Sequence, residues 1–146
     1  MPSIDPNNSP LAACNCVSLR SASRRISQFY DSRLAPSGLR ATQFAMLALI
    51  GESGGLPINA IAARLDMDRT TTGQNLRPLE RDGLIGMERS AQDGRSRIVR
   101  LTVEGEARLA MAVPLWRDAQ QAFETWNGAA KAADMRRQLA SLRFER

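Results

Sequence analysis

Apolar residues recur at intervals of three and four along most of the chain, and at shorter intervals in one stretch past its middle. From Leu11 to about Leu34 the positions Ala12, Cys16, Leu19, Ala22, Ile26, Phe29/Tyr30 and Leu34 repeat with the period of one helical face. The spacing predicts a long amphipathic helix, ended by Pro36 and Gly38, with Arg24, Arg25 and Arg33 on its opposite face. Thr42 is placed to cap a second helix through Phe44, Leu47, Ala48 and Ile50, which the segment 51–55 stops. Pro57 suits the first turn of a short third helix carrying Ile58, Ile61, Ala62 and Leu65. After the break Asp66-Met67, Asp68 is a good N-cap for a fourth helix through Leu76 and Leu79 to about Asp82, with Gly83 as its stop. Pro78, late in that helix, removes a backbone donor and is expected to bend the last turn.

The period then changes. Leu84, Ile85 and Met87, followed by Ile98, Val99 and Leu101, are two strand-like runs, and Asp93-Gly94 between them signals a hairpin turn. A short helix, a tight turn, a second helix and a hairpin make a helix-turn-helix followed by a wing. Thr102 is placed to cap a long helix bearing Leu109, Val113, Leu115, Trp116, Ala119, Phe123 and Trp126, ended by Gly128. A last helix is expected over about Ala132 to Phe144. The predicted fold class is mainly α with a small β-hairpin wing (α+β).

Three proline, two asparagine and two serine residues in the first ten positions leave little to bury, so residues 1–10 read as a flexible arm and 11–146 as a single domain. One domain is what 146 residues ordinarily make, and 43% hydrophobic with 24% charged residues is a globular balance.

No histidine is present, so a Ser/His/Asp or Cys/His nucleophile pair and a histidine metal site are excluded. With no Gly-rich phosphate loop or paired carboxylates either, the expectation is no enzyme and no cofactor. The longest apolar run, Phe44 to Ile50, is well short of the roughly 18–20 residues a membrane span needs, and no signal peptide is apparent at the N-terminus. These point to a cytoplasmic protein without a membrane partner. A net charge of +5 suggests a polyanion, nucleic acid first, although only Lys131 among twenty basic residues is lysine and the charge is spread along the chain.

From Leu11 to the C-terminus the residues resemble the MarR family of winged helix-turn-helix transcriptional regulators. The resemblance lies in the predicted fourth helix, its Leu79-Glu80-Arg81-Asp82-Gly83-Leu84 exit, and the wing pattern Asp93, Arg95, Leu101 and Thr102. It implies a winged helix-turn-helix over about 40–102. Helices at about 11–35 and 103–146 would form the body of a homodimer that binds a pseudo-palindromic operator in double-stranded DNA, most commonly as a repressor. Two long amphipathic helices at opposite chain ends point the same way, because so small a central unit cannot bury both.

The N-terminal part of a recognition helix enters the major groove, which selects Asp68, Arg69, Thr70, Thr71, Thr72 and Gln74, with Arg77 a turn further on. By resemblance, Arg95 at the wing tip reaches a minor groove, Asp93 orients it or a neighbouring arginine, and Arg97 is a further wing contact. The chain departs from the family where Gly73 and Gln74 replace a hydroxyl residue and an arginine. A winged helix used for protein contact without specific DNA binding is the alternative.

The start of the first helix resembles the organic-hydroperoxide sensors of the family. Cys16 matches their reactive thiol and Tyr30 a tyrosine that hydrogen-bonds it, while a second expected tyrosine is Arg20 here. The residues leave three readings of Cys14-Asn15-Cys16 open: packing of a small apolar side chain, redox sensing, or soft-metal binding by the pair. For a small-molecule effector, Phe44 and Trp116, with Tyr30, are candidates to line a crevice between dimer body and winged helix.

Overall fold

The computed structural model describes residues 9–145. Positions 1–8 of the expected arm lie outside that span, and Pro10 opens a one-turn helix, α1 (Pro10–Ala13), capped by the Ser9 side chain. There follow α2 (Asn15–Leu34), a 3-10 turn (Ala35–Ser37), α3 (Ala41–Ser53), β1 (Leu56–Pro57), α4 (Ile58–Arg64), α5 (Arg69–Arg81), β2 (Ile85–Arg89), β3 (Arg97–Leu101), α6 (Val103–Asn127) and α7 (Ala129–Ala140). Among the described residues, no helix is long and apolar enough to cross a membrane.

Several local expectations need correction. The predicted first helix is broken at Cys14, whose backbone is extended (φ −80°, ψ 113°) and whose sulfur accepts the Val17 N–H at 3.5 Å, so this residue caps α2. Thr42 does not cap α3. The Ala41 N–H donates instead to Asp31 Oδ1 of α2 at 2.7 Å, and the Arg40 N–H to Gln43 Oε1 at 3.0 Å. The last helix begins and ends earlier than expected, leaving Leu142 and Phe144 beyond it.

The sheet has three strands rather than two, in the order β1-β3-β2 and all antiparallel. Its extra member, β1, pairs Leu56 with Val99 and Pro57 with Ile98. Proline is tolerated there because β1 is an edge strand. Pro114 lies within the continuous α6, although a proline inside a helix forfeits one backbone bond.

The core lies where the central helices meet the sheet. Leu34 of α2, Met46, Leu47 and Ile50 of α3, Ile61 of α4, Leu76 and Leu79 of α5, Leu84, and Val99 of β3 are all fully buried. Each such side chain contributes about 1.5–3 kcal/mol on burial, so the helix-turn-helix is fixed to its surroundings by packing.

Thr102 locks the wing to α6. Its N–H donates to Leu84 O at 3.1 Å, its hydroxyl donates to Gly83 O at 2.6 Å, and the same oxygen accepts the Gly105 N–H at 3.0 Å. One residue thus caps α6 and closes the end of the hairpin onto the exit of α5.

Candidate nucleic-acid interface

The turn between α4 and α5 is tight because Asp66 takes a left-handed backbone (φ 51°), which aspartate tolerates better than most residues. The Met67 N–H reaches back to Ala62 O at 2.9 Å and closes the end of α4. Asp68 then starts α5: its Oδ1 accepts the Thr71 N–H at 2.6 Å and its Oδ2 the Thr71 hydroxyl at 2.9 Å. These two donors hold the Asp68 carboxyl below the usual carboxylate value.

The seven residues selected on this helix therefore divide. Arg69, Thr70, Gln74 and Arg77 are exposed; Thr70, Gln74 and Arg77 lie on the side away from buried Leu76 and Leu79, and Arg69 stands at the open N-terminal end of the helix. Asp68 and Thr71 are engaged with each other in the cap. Thr72 does not belong to the exposed face: it is fully buried, its hydroxyl donating to Asp68 O at 2.8 Å. Burial of Thr72 follows from its position one turn before Leu76, on the same side of the helix.

The wing tip is shaped by side chains as much as by its turn. Ser90 Oγ accepts the N–H groups of Gln92 and Asp93 at 3.2 and 3.3 Å. Asp93 accepts the Arg95 N–H at 3.0 Å and the Ser96 hydroxyl at 3.1 Å. Asp93 thus orders the loop rather than orienting a guanidinium, and Arg95 and Arg97 are left exposed.

Register adds Arg89, which the sequence reading missed. It lies directly across from Arg97 in the β2–β3 ladder, so two cations share one face of the hairpin. Like charges directly opposite destabilise a sheet. Among the described residues no carboxylate lies within 4.0 Å of Arg69, Arg77, Arg89, Arg95 or Arg97. Only the pairing register reveals Arg89, since nothing in the spacing of basic residues singles it out. Arg100 is occupied structurally, bonded to Gly54 O at 2.5 Å and paired with Glu88 at 3.5 Å.

The other candidates lie apart from this surface. Both cysteines are free, Cys16 exposed and Cys14 half-buried; Cys16 shares its face of α2 with Leu19 and Ala22, and that whole stretch is left uncovered. Tyr30 donates to Gln120 Oε1 on α6 at 2.5 Å, and burial, then the Glu124 charge, push its phenol up. It stands fourteen positions along α2 from Cys16, about 21 Å on a straight helix, so the two do not meet within one chain. Phe44 and Trp116 stack at 5.9 Å with planes 18° apart and pack against the core. Two clefts flank the α2–α3 junction, one lined by Ser27, Asp31, Arg40 and Asn75, the other by Gln28, Gly38 and Arg40; neither is lined by Phe44, Trp116 or Tyr30.

Comparison with known proteins agrees with this geometry. A model of the MarR family matches residues 37–96, from the 3-10 turn through the wing loop. The transcriptional regulator HosA of Escherichia coli is 32% identical over 85 residues, 58% of this chain and 63% of its own. The organic hydroperoxide resistance transcriptional regulator of Bacillus subtilis is 30% identical over 90 residues, 62% of this chain and 61% of its own. The chain thus spans just over three-fifths of the length of these curated relatives. Among solved structures, the M. tuberculosis transcriptional regulator MosR in complex with DNA superposes with a TM-score of 0.79 at 38% identity, covering 87% of this chain and 91% of that one. With a family model matched across the helix-turn-helix and wing loop, and a solved regulator matched at 38% identity over nearly its whole length, the chain belongs to the MarR family and has its winged-helix fold.

Proposed function

We propose that the chain is a sequence-specific DNA-binding transcriptional regulator, not an enzyme, and that it acts as a homodimer on a pseudo-palindromic operator. The observation that carries this is the surface of α5 and the wing. There Arg69, Arg77, Arg89, Arg95 and Arg97 are exposed and, among the described residues, without a carboxylate partner, and two of them oppose each other across a hairpin. A chain that needs only to fold gains from pairing or spacing those charges, whereas a polyanion rewards their clustering. Thr70 and Gln74 supply hydrogen-bonding groups to base edges on the same face.

The dimer is supported by apolar side chains left uncovered on the terminal helices and the tail: Leu11, Val17, Leu19, Leu139, Leu142 and Phe144. A two-fold dimer places two α5 helices for successive half-sites, and the operator then shares its symmetry. Occupying such a site at a promoter makes repression the simplest output.

Release by oxidation of Cys16 is the proposed trigger. The hydroperoxide-resistance relative and the exposure of the thiol support it, and Tyr30 of a second copy is the proposed hydrogen-bonding partner of the sulfur. A small ligand is the other trigger.

Fluorescence anisotropy of the reduced protein with the DNA upstream of its own gene tests the whole reading. Expected is binding tighter than to a random duplex, with log affinity falling linearly in log salt. Binding that is weak and indifferent to salt would leave protein contact as the function. Adding an organic hydroperoxide should release the wild type but not Cys16→Ser; equal release of both would remove the thiol trigger.

A further inference from the structure

Gly73 lies inside α5 with no account in the fold. It is not among the positive-φ glycines, and a Cβ added to it would meet no atom within 4 Å. Gly51 and Gly105, by contrast, are pressed by neighbours at that position, and Gly38, Gly54, Gly55, Gly83 and Gly128 hold backbones that a side chain would strain. Glycine in a helix interior weakens the helix relative to alanine. The fold alone would therefore favour alanine at position 73.

Position on the helix indicates what the gap faces. Arg69, Gly73 and Arg77 are four apart and form one row, beside the row of Thr70 and Gln74. The two arginines stand about 12 Å apart along the axis, with bare backbone between them. At a helical position inside α5, the Gly73 N–H is committed to Arg69 and its C=O to Arg77. The notch offers no free N–H donor, and its carbonyl already accepts one helical bond. The flanking Arg69 and Arg77 guanidinium groups serve polar partners on either side, while a polar group pressed onto the bare backbone itself gains no donor there, so the group that fits against position 73 is apolar. The major groove presents one apolar group, the thymine C5-methyl.

On the DNA-binding reading above, we propose that Gly73 is a specificity-determining position that receives a thymine methyl between the contacts of Arg69 and Arg77. A methyl side chain at position 73 would occupy the space that the thymine methyl needs. Alanine therefore strengthens the helix and weakens recognition at one base pair of each half-site.

The test enriches a randomised duplex pool with the wild-type protein. The best duplex is then titrated with wild type and Gly73→Ala, and each thymine is replaced singly by deoxyuridine, which lacks the methyl. The variant should melt roughly 2–4 °C higher and bind the thymine duplex about tenfold more weakly, and deoxyuridine at one position per half-site should recover most of that loss. Equal affinity of the two proteins, or a loss that no deoxyuridine relieves, overturns the assignment while leaving DNA binding intact. Failure of the wild type to enrich any sequence removes the DNA-binding reading and this inference with it.

Discussion

Gly105 stands in the first turn of α6 with the Leu84 carbonyl where its Cβ would be. Gly105→Ala should therefore cost about 1–3 kcal/mol through overpacking against backbone that Thr102 holds in place; urea unfolding measures it, and an unchanged midpoint would mean that α6 shifts freely. Asp68 makes a different prediction, in pH. Its carboxyl is held below its ordinary value of 3.8 by two donors from Thr71. A depressed folded pKa means that this stabilisation is present above the unfolded value and is lost as pH falls through the folded one. Asp68→Ala should lower the melting temperature near neutral pH and differ less from wild type in acid, and a difference independent of pH would remove the carboxylate cap as its cause. Asp68 is legible in sequence because a cap acts within three residues. Gly105 is not, because what it meets lies across the wing.

At the scale of elements, α5 and the wing combine local signals with one that only pairing reveals. Asp68, Gly83 and Asp93-Gly94 mark their starts and turns by local chemistry, and the helix and both strands follow as the periods predict. Arg89 against Arg97 depends on register. Arg89→Glu would turn a repelling pair into an attracting one and should stabilise the hairpin by about 0.2–1 kcal/mol, while weakening DNA binding and lowering its salt slope. Thermal melting and anisotropy together decide it: a variant that binds DNA as well as wild type would show that the pair faces away from the phosphates. Pro114 makes the complementary point, since packing of α6 against α2 and α3 keeps a helix running through a residue that local rules use to end one.

For the whole molecule, uncovered apolar residues gather on the terminal segments, with Val103, Met111 and Trp126 of α6 exposed besides. Leu139 on α7 is 45% exposed, Leu142 48% and Phe144 84%. A charge introduced there should cost the isolated chain little and a dimer much. Leu139→Arg is expected to shift sedimentation towards monomer and to weaken operator binding in step, because one winged helix then holds one half-site. A variant that stays dimeric would move the contact elsewhere on the surface.

Sequence by itself determined what is set within a few residues: the helical and strand periods, the caps at Asp68 and Thr102, the turn at Asp66 and the order of elements that carries the family resemblance. Tertiary structure alone decided what depends on residues distant in the chain. Asp31 caps α3 from α2, and β1 completes the sheet by pairing Leu56 with Val99 of β3, far along the chain. Thr72 turns inward, and Tyr30 bonds Gln120 rather than a thiol on its own helix. The physical reason is range. Backbone hydrogen bonds and periodicity act over one or two helical turns, whereas burial, pairing register and the spacing of charges on a surface are fixed only when separate elements pack.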